Sequence, residues 1–376
     1  MTERTIVVLF SLGMSAIRWH QMGIFGKEKV LSEAYLKHGL ASRVVWLSYH
    51  PGDPEFVAEQ QRQGQLASAI EVLPAPSWAG SKLGRVVYSL TAPWQHRKAL
   101  RQATAIINNQ TSGCWTGLIA RAILGSRFVY RYGHSLWRRH LDRKQYGRLM
   151  LSWPVDRLAL AVADHTLVCT RSDARHARSA KTLSLCPNFI DTDALPNPPP
   201  VQARHERGIF VGRLMSFKNL FNLISACAAE ALPLDIYGDG PLASELKAHA
   251  DTLKADVQFH GVCANEEVRS QMMRCRYHFL VSNYEAMPKA LLEGMAAGCV
   301  CLVSPNYGCA EIIDDGDNGL MASGFEVEDL RALIRRAREA DQQALSDAAV
   351  AKIISHYSLR HVVGLHRQAL LGEERE

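Results

Sequence analysis

"YHFLVSNYEAMPKALLEGMAAGCVCLVSP", residues 277–305, holds a complete structural repeat in one line. Its opening apolar run predicts a strand that ends near Ser282. Pro288 suits a first helical turn, and the pattern beyond it predicts a helix to about Gly298. "VCLVSP" then predicts another strand. A strand, a helix and a strand in succession belong to parallel α/β architecture. Glu285 falls on the loop before the helix, and Glu293 falls inside it, eight residues later. Spacing alone decides nothing, because chance supplies roughly three or four acid pairs at any fixed separation in such a chain. Context is more telling. Gly294, Ala296, Ala297 and Gly298 surround Glu293, and small side chains let a helix pack closely on its strand and let a ligand approach.

The same alternation runs outward in both directions. Toward the N-terminus, "TIVVLFS" (5–11), "RVVWLSY" (43–49), "IEVLP" (70–74), "AIINN" (105–109), "RFVYRYG" (127–133) and "HTLVCT" (165–170) predict strands. Helical patterns lie between them, such as "KEKVLSEAYLKHG", which ends on Gly39 as a C-cap. The Pro- and Asn-rich stretch "PNFIDTDALPNPPPVQARHERG" (187–208) interrupts the pattern, and "GIFVGR", "PLDIYGDG" and "VQFHG" resume it. Two doubly wound domains follow as the expectation: residues 1–190, a linker at about 187–206, and residues 205–356. The helical stretch in 357–376 is expected to pack back on the first domain. Ligands in such folds bind beyond the carboxyl ends of the strands, here expected in a cleft between the domains.

A chain of 376 residues suits two domains of roughly 150–200 residues each. Hydrophobic residues make up 47% and charged residues 21%, which describes a soluble globular protein. No apolar run approaches the roughly 18–20 residues needed to span a bilayer. "MTERTIVVLFSLG" lacks the pattern of a signal peptide, so a cytoplasmic location is expected. None of the nine cysteines forms a CxxC pair, and buried free thiols in a reducing compartment are the better reading than a metal site.

The net charge of +6 hides an asymmetry. Residues 1–200 hold 25 Lys+Arg against 13 Asp+Glu, and residues 201–376 hold 18 against 24. Arg97 to Arg157 is the richest stretch, twelve basic residues opposed only by Asp142 and Asp156. "SLWRRHLDRKQYGRLMLSW" sets aromatic and aliphatic residues among those charges. Such a helix suits an anionic membrane surface or an anionic acceptor. A solvated face explains it also, and no compact nucleic-acid-binding motif is present.

The second half carries further signals at strand ends. "IFVGRLMSFKN" gives a strand, Gly212, Arg213 and then Lys218 near a helix start. Two cations beside helix-start amides make a seat for a diphosphate. "IYGDGP" (236–241) is a tight turn with Gly238 and Gly240, but it lacks the third glycine of a dinucleotide fingerprint. No P-loop is present.

Together these residues resemble the nucleotide-sugar-binding domain of retaining glycosyltransferases of the GT-B fold, in the large family 4. The family's G-R-L and K-N appear as Gly212, Arg213, Leu214 and Lys218, Asn219, and its G-x-G-P as Gly238 to Pro241. Its E-x7-E is Glu285 and Glu293 with Pro288 between; its last glycine-rich segment is Gly308, Glu311, Gly316, Asn318 and Gly319. The resemblance covers residues 207–322 well and extends less firmly over the first half.

The resemblance implies a fold, two facing Rossmann-like domains, and a set of roles. Arg213 and Lys218 should hold the donor diphosphate and offset leaving-group charge. Glu293 should accept from the ribose hydroxyls, and Glu285 should lie against the donor sugar. Gly212, Gly238, Met287, Pro288 and Lys289 should line the donor site. From the first half, Gly13, Arg18 and His134 should face the reaction. The implied reaction is retaining transfer, of a hexosyl unit, from a UDP- or GDP-type sugar to a hydroxyl of a saccharide or lipid-linked saccharide. It is expected to need neither metal nor cofactor and to follow a front-face route. "DTD" (191–193) falls in the linker, where a turn or helix cap is the better account than a metal site. Ala286 replaces a frequent Gly, and Gly294 stands where Ala is usual, a helix cost of about 1 kcal/mol. A sugar-nucleotide epimerase on the same scaffold and a non-catalytic nucleotide-sugar-binding subunit are the alternatives. Peripheral contact with the inner leaflet and no nucleic acid complete the expectations.

Overall fold

The computed structural model describes residues 3–132 and 144–372. The chain divides into two compact units, Met1–Pro187 with Val362–Glu376, and Asn188–His361. His134 lies outside the described residues.

Among the described residues the first unit is built on seven parallel strands: β1 (Thr5–Leu9), β2 (Arg43–Leu47), β3 (Ile70–Leu73), β4 (Ala105–Asn108), β5 (Phe128–Tyr132), β6 (His165–Val168) and β7 (Leu183–Leu185). Their order is β3-β2-β1-β4-β5-β6-β7. The inner strands are buried along nearly their whole length, which is why β1 and β2 read as near-continuous apolar runs. The short, partly exposed β7 has no such run, and no strand was expected there. The Leu359–Leu371 helix enters this unit at Val362. His366 Nδ1 lies 2.6 Å from the Tyr35 hydroxyl, and Arg127 Nε donates to the Ala369 carbonyl at 2.9 Å.

The second unit has six parallel strands: β8 (His205–Val211), β9 (Leu234–Tyr237), β10 (Val257–Gly261), β11 (Cys275–Leu280), β12 (Val300–Val303) and β13 (Leu320–Met321). Their order is β10-β9-β8-β11-β12-β13. β8 begins at His205, inside the stretch expected as linker, because its exposed first residues extend polar beyond the apolar core. β13 is a two-residue edge pairing that carries no sequence pattern. Residues 188–204 include two short 3₁₀ turns, Thr192–Ala194 and Val201–Ala203; Asp193 lies in the first, and Asp191 stands at its N-cap. The buried Arg204 ties this segment down by donating to the Pro199 and Ala297 carbonyls.

In each sheet the strand order reverses once, between β1 and β4 and between β8 and β11. At such a reversal the crossover helices leave on opposite faces, so the loops part and open a crevice at the carboxyl ends. All nine cysteines are free, and seven are buried. Among the described residues no helix is long and apolar enough to cross a membrane.

Candidate functional site

The chemistry-bearing residues of the second unit gather at the β8/β11 reversal. β8 delivers Gly212 and Arg213, after which a 3₁₀ turn, Ser216–Lys218, leads to the Leu220–Ala229 helix. Asn219 makes that junction in the left-handed region, φ 58°, a conformation Asn tolerates better than most residues. Its side chain donates to the Phe325 carbonyl at 2.7 Å. β11 delivers Ser282 and Glu285, and the Lys289–Ala296 helix follows with Pro288 as its N-cap.

Two loops 67 residues apart in sequence meet here. Lys218 Nζ lies 2.5 Å from Glu285 Oε1, and Ser282 Oγ donates to the same oxygen at 2.8 Å. The Lys218 and Glu285 side chains are only 13% and 14% exposed. Lys218 also sits 5.2 Å from the Phe217 ring centroid, and the Asn283 amide donates to the Phe217 carbonyl. Fixed donors and a fixed carboxylate are what a charged ligand needs in order to bind without reorganisation.

Glycines set the backbone around this pair. A Cβ on Gly238 would lie 2.0 Å from the Gly212 carbonyl oxygen, and one on Gly240 would lie 2.4 Å from that of Leu214. The turn after β9 therefore presses directly on the loop after β8, joined by hydrogen bonds from Gly212 to Tyr237 and from Leu214 to Asp239. Gly308 similarly allows the loop after β12 to touch the Glu285 carbonyl. Ser304 Oγ and Asn306 Nδ2 both donate to the Ser282 carbonyl, at 2.6 and 2.9 Å. Sequence reading missed Ser282, Ser304 and Asn306 as supports of Glu285. Asn306 left one signal, its position as the N-cap of the Tyr307–Ala310 helix.

Of the other expected donor residues, Arg213 is exposed beside Lys218 in sequence, and Met287 accepts from Asn188 through its carbonyl at 3.1 Å. Glu293 pairs with Lys289 at 3.2 Å along the helix surface. In the first unit, Gly13 adopts φ +76° and Arg18 donates to its carbonyl at 3.3 Å. The Arg85 guanidinium also packs on Gly13, a second cation at this loop that the sequence did not single out.

Beneath the Glu293 helix lies a buried histidine. Both ring nitrogens of His278 lack hydrogen-bond partners. A Cβ on Gly294 would stand 2.6 Å from its ring. That approach explains the glycine, and Gly294→Ala should cost about 1–3 kcal/mol by overpacking despite its better helix propensity. Urea unfolding of the variant measures this, and a stabilised variant would refute it. Burial lowers the His278 imidazole to about 4, against an ordinary 6.5. The unfolded chain takes up a proton between those values while the folded chain does not. The associated stability is present above pH 6.5 and lost as pH falls toward 4, by about 2–4 kcal/mol. His278→Leu should flatten that part of the pH–stability curve; an unchanged difference between pH 7 and pH 5 would count against it.

Among the described residues no group of three or more His, Cys, Asp or Glu side chains is placed to hold a metal ion. Two depressions of about 420 and 400 Å³ flank Arg336, and neither includes Lys218 or Glu285.

Two family models match in tandem: Glycosyltransferase Family 4 over residues 30–194 and Glycosyl transferases group 1 over residues 193–350. D-rhamnosyltransferase WbpZ of Pseudomonas aeruginosa is 27% identical over 230 residues, 57% of this chain and 59% of that protein. The poly(glycerol-phosphate) alpha-glucosyltransferase of Bacillus subtilis is 26% identical over 188 residues, 47% of this chain and 28% of that protein. The chain thus spans less than two thirds of the length of the curated relatives it matches. Anabaena Alr3699/HepE in complex with UDP superposes with TM-score 0.73 at 17% identity, covering 98% of this chain and all of that one. The lipopolysaccharide outer core galactosyltransferase WaaB gives 0.70 at 17%, covering 98% and 99%. At these identities the likeness establishes the fold, which is GT-B.

Proposed function

Because the chain is a GT-B protein related to the family 4 and group 1 glycosyl transferases, we propose that it moves a sugar from a nucleotide diphosphate to a hydroxyl acceptor. The observation that carries this reading is the Lys218–Glu285 pair at the β8/β11 reversal, with the Gly212 loop beside it. Lys218 and Arg213 hold the diphosphate and offset the charge that builds on the leaving phosphate. Glu285 accepts from the donor sugar's hydroxyls, and Glu293 from the ribose. Similar solved structures contain UDP and UDP-glucose, which supports a UDP-type donor.

The finer reading is a metal-independent, retaining, front-face transfer of a hexosyl unit. The departing phosphate draws the proton from the acceptor hydroxyl, so no protein nucleophile is required. Gly13, Arg18 and the first unit's other loops serve the reacting groups, and the acceptor is a saccharide or a lipid-linked saccharide at the inner leaflet.

A thermal-shift panel of UDP, GDP, ADP, CMP and NAD tests the donor site. Ligand at 100 times its dissociation constant adds about 2.7 kcal/mol, enough for a visible shift. A shift with UDP or GDP that Arg213→Ala removes is the expected result. A shift with NAD alone, or with none of the five, would falsify the reading.

A further inference from the structure

The Lys82–Gln95 helix is turned the wrong way round for a solvated surface. Its inward residues, Tyr88, Ser89, Ala92 and Pro93, are mostly small or polar-tipped, and its outward ones are apolar. Leu83, Val86, Val87, Leu90 and Trp94 are all exposed, Leu83 to 74%. At 100° per residue these five fall within one stripe of about 100° along the helix. Trp78, on the 3₁₀ turn that leads into the helix, is exposed as well. Leaving so many large apolar groups in water on one helix face marks an interaction site.

A second exposed row runs along the Tyr146–Val162 helix, where Tyr146, Met150 and Trp153 recur at four- and three-residue steps. The Cys114–Leu124 helix touches both of these helices. It adds the exposed Ile123.

Charge identifies what covers this face. From residue 72 to residue 141 the chain contains no Asp or Glu at all, and it contains ten Lys and Arg. Lys82, Arg97, Lys98 and Arg101 are exposed at the two ends of the apolar stripe. An apolar stripe with tryptophans, bounded by cations and free of acids over 70 residues, matches a bilayer interface with anionic headgroups. The hydrocarbon boundary accepts the leucines and valines, the indoles sit at headgroup depth, and the cations meet phosphate. A protein partner would meet the same stripe, but its surface would have to supply acids around the whole margin.

We propose that the outward face of the Lys82–Gln95 helix is the membrane-docking surface of this protein, specific for anionic lipid. The inference rests on the inner-leaflet part of the function proposed above and is independent of the donor site. It moves the contact from the basic 135–153 stretch, where charge alone would put it, to a helix whose exposed face is itself apolar.

The test is flotation of the full chain with phosphatidylcholine vesicles and with phosphatidylcholine–phosphatidylglycerol vesicles. Leu83→Glu/Leu90→Glu is the variant, and its UDP or GDP thermal shift is the control for folding. Wild type should float with the anionic vesicles and little with the neutral ones. The variant should bind about tenfold less or weaker still, given the apolar burial in the bilayer that the two leucines no longer supply, with its nucleotide shift intact. Anionic binding that the variant retains would overturn the assignment to this helix. No vesicle binding by wild type would overturn the proposal and the inner-leaflet reading together, leaving the nucleotide result to judge the donor site separately. Self-association of wild type that the variant abolishes, seen by sedimentation without lipid, would make the face a protein interface instead.

Discussion

Lys218→Ala should lower turnover by about 10²–10³, the loss typical of removing one preorganised electrostatic donor. Two effects combine in that number. The diphosphate loses a cation placed before the donor arrives, and Glu285 loses the partner that holds it at 2.5 Å. The Glu285 side chain is mostly buried, so leaving it with Ser282 but no cation should also cost about 1–3 kcal/mol of stability. Glu285→Gln separates the two. Its amide can still accept from Ser282, and Lys218 remains for the phosphate, yet a neutral group near the sugar should abolish transfer. On the front-face route neither variant, nor wild type, accumulates a sugar bound to the protein. Steady-state kinetics with the identified donor, together with intact-protein mass spectrometry, decide this. Lys218→Ala with nearly wild-type turnover would remove the lysine from phosphate binding, and a glycosyl adduct would replace the front-face route by double displacement.

Gly238→Ala should be the most damaging single-methyl change in the second unit. Its φ of +129° is a conformation L side chains rarely adopt, and its Cβ would overlap the Gly212 carbonyl at 2.0 Å. Both surfaces are backbone, so no side chain can swing aside. Strain and overpacking together should cost about 3–5 kcal/mol. Relief would come by displacing the Gly212–Arg213 loop, which carries the nucleotide response away with it. Gly261→Ala is the matched control: it has φ +69° but nothing within 4 Å of its Cβ, so it should cost only about 1–2 kcal/mol. Equal Tm losses for the two variants would show that backbone conformation matters and the close approach does not.

The parts of this protein that were legible in advance are those where a local pattern has one physical outcome. β8, β11 and β12 are buried on both faces, so their apolar runs could form little else. β7 and β13 escaped because a three-residue or two-residue edge strand depends on its neighbour's ladder, not on its own residues. The start of β8 carries no strand signal because His205, Glu206 and Arg207 are polar and precede its buried run. In the first unit, the resemblance points to Gly13 and Arg18, but Arg85 comes to Gly13 from a helix some 70 residues on, and no spacing announces that.

By itself the sequence determined the class of fold, two runs of alternating strands and helices, because burial on both faces of a parallel sheet leaves its mark on every inner strand. It also determined which strand ends carry cations, glycines and carboxylates, since those residues sit within a few positions of an apolar run. Only the tertiary structure decided that Lys218 closes on Glu285, that Gly238 rests on Gly212, and that Ser282 and Asn306 brace the acid. Apart from the local Ser282–Glu285 bond, those contacts cross 24 to 67 residues of chain. They exist because β8 lies between β9 and β11, and β11 between β8 and β12, pairings set by the whole sheet rather than by any stretch of it. The same holds for the apolar stripe of the Lys82–Gln95 helix: its periodicity is local, but which side faces outward was fixed by the neighbours it packs against.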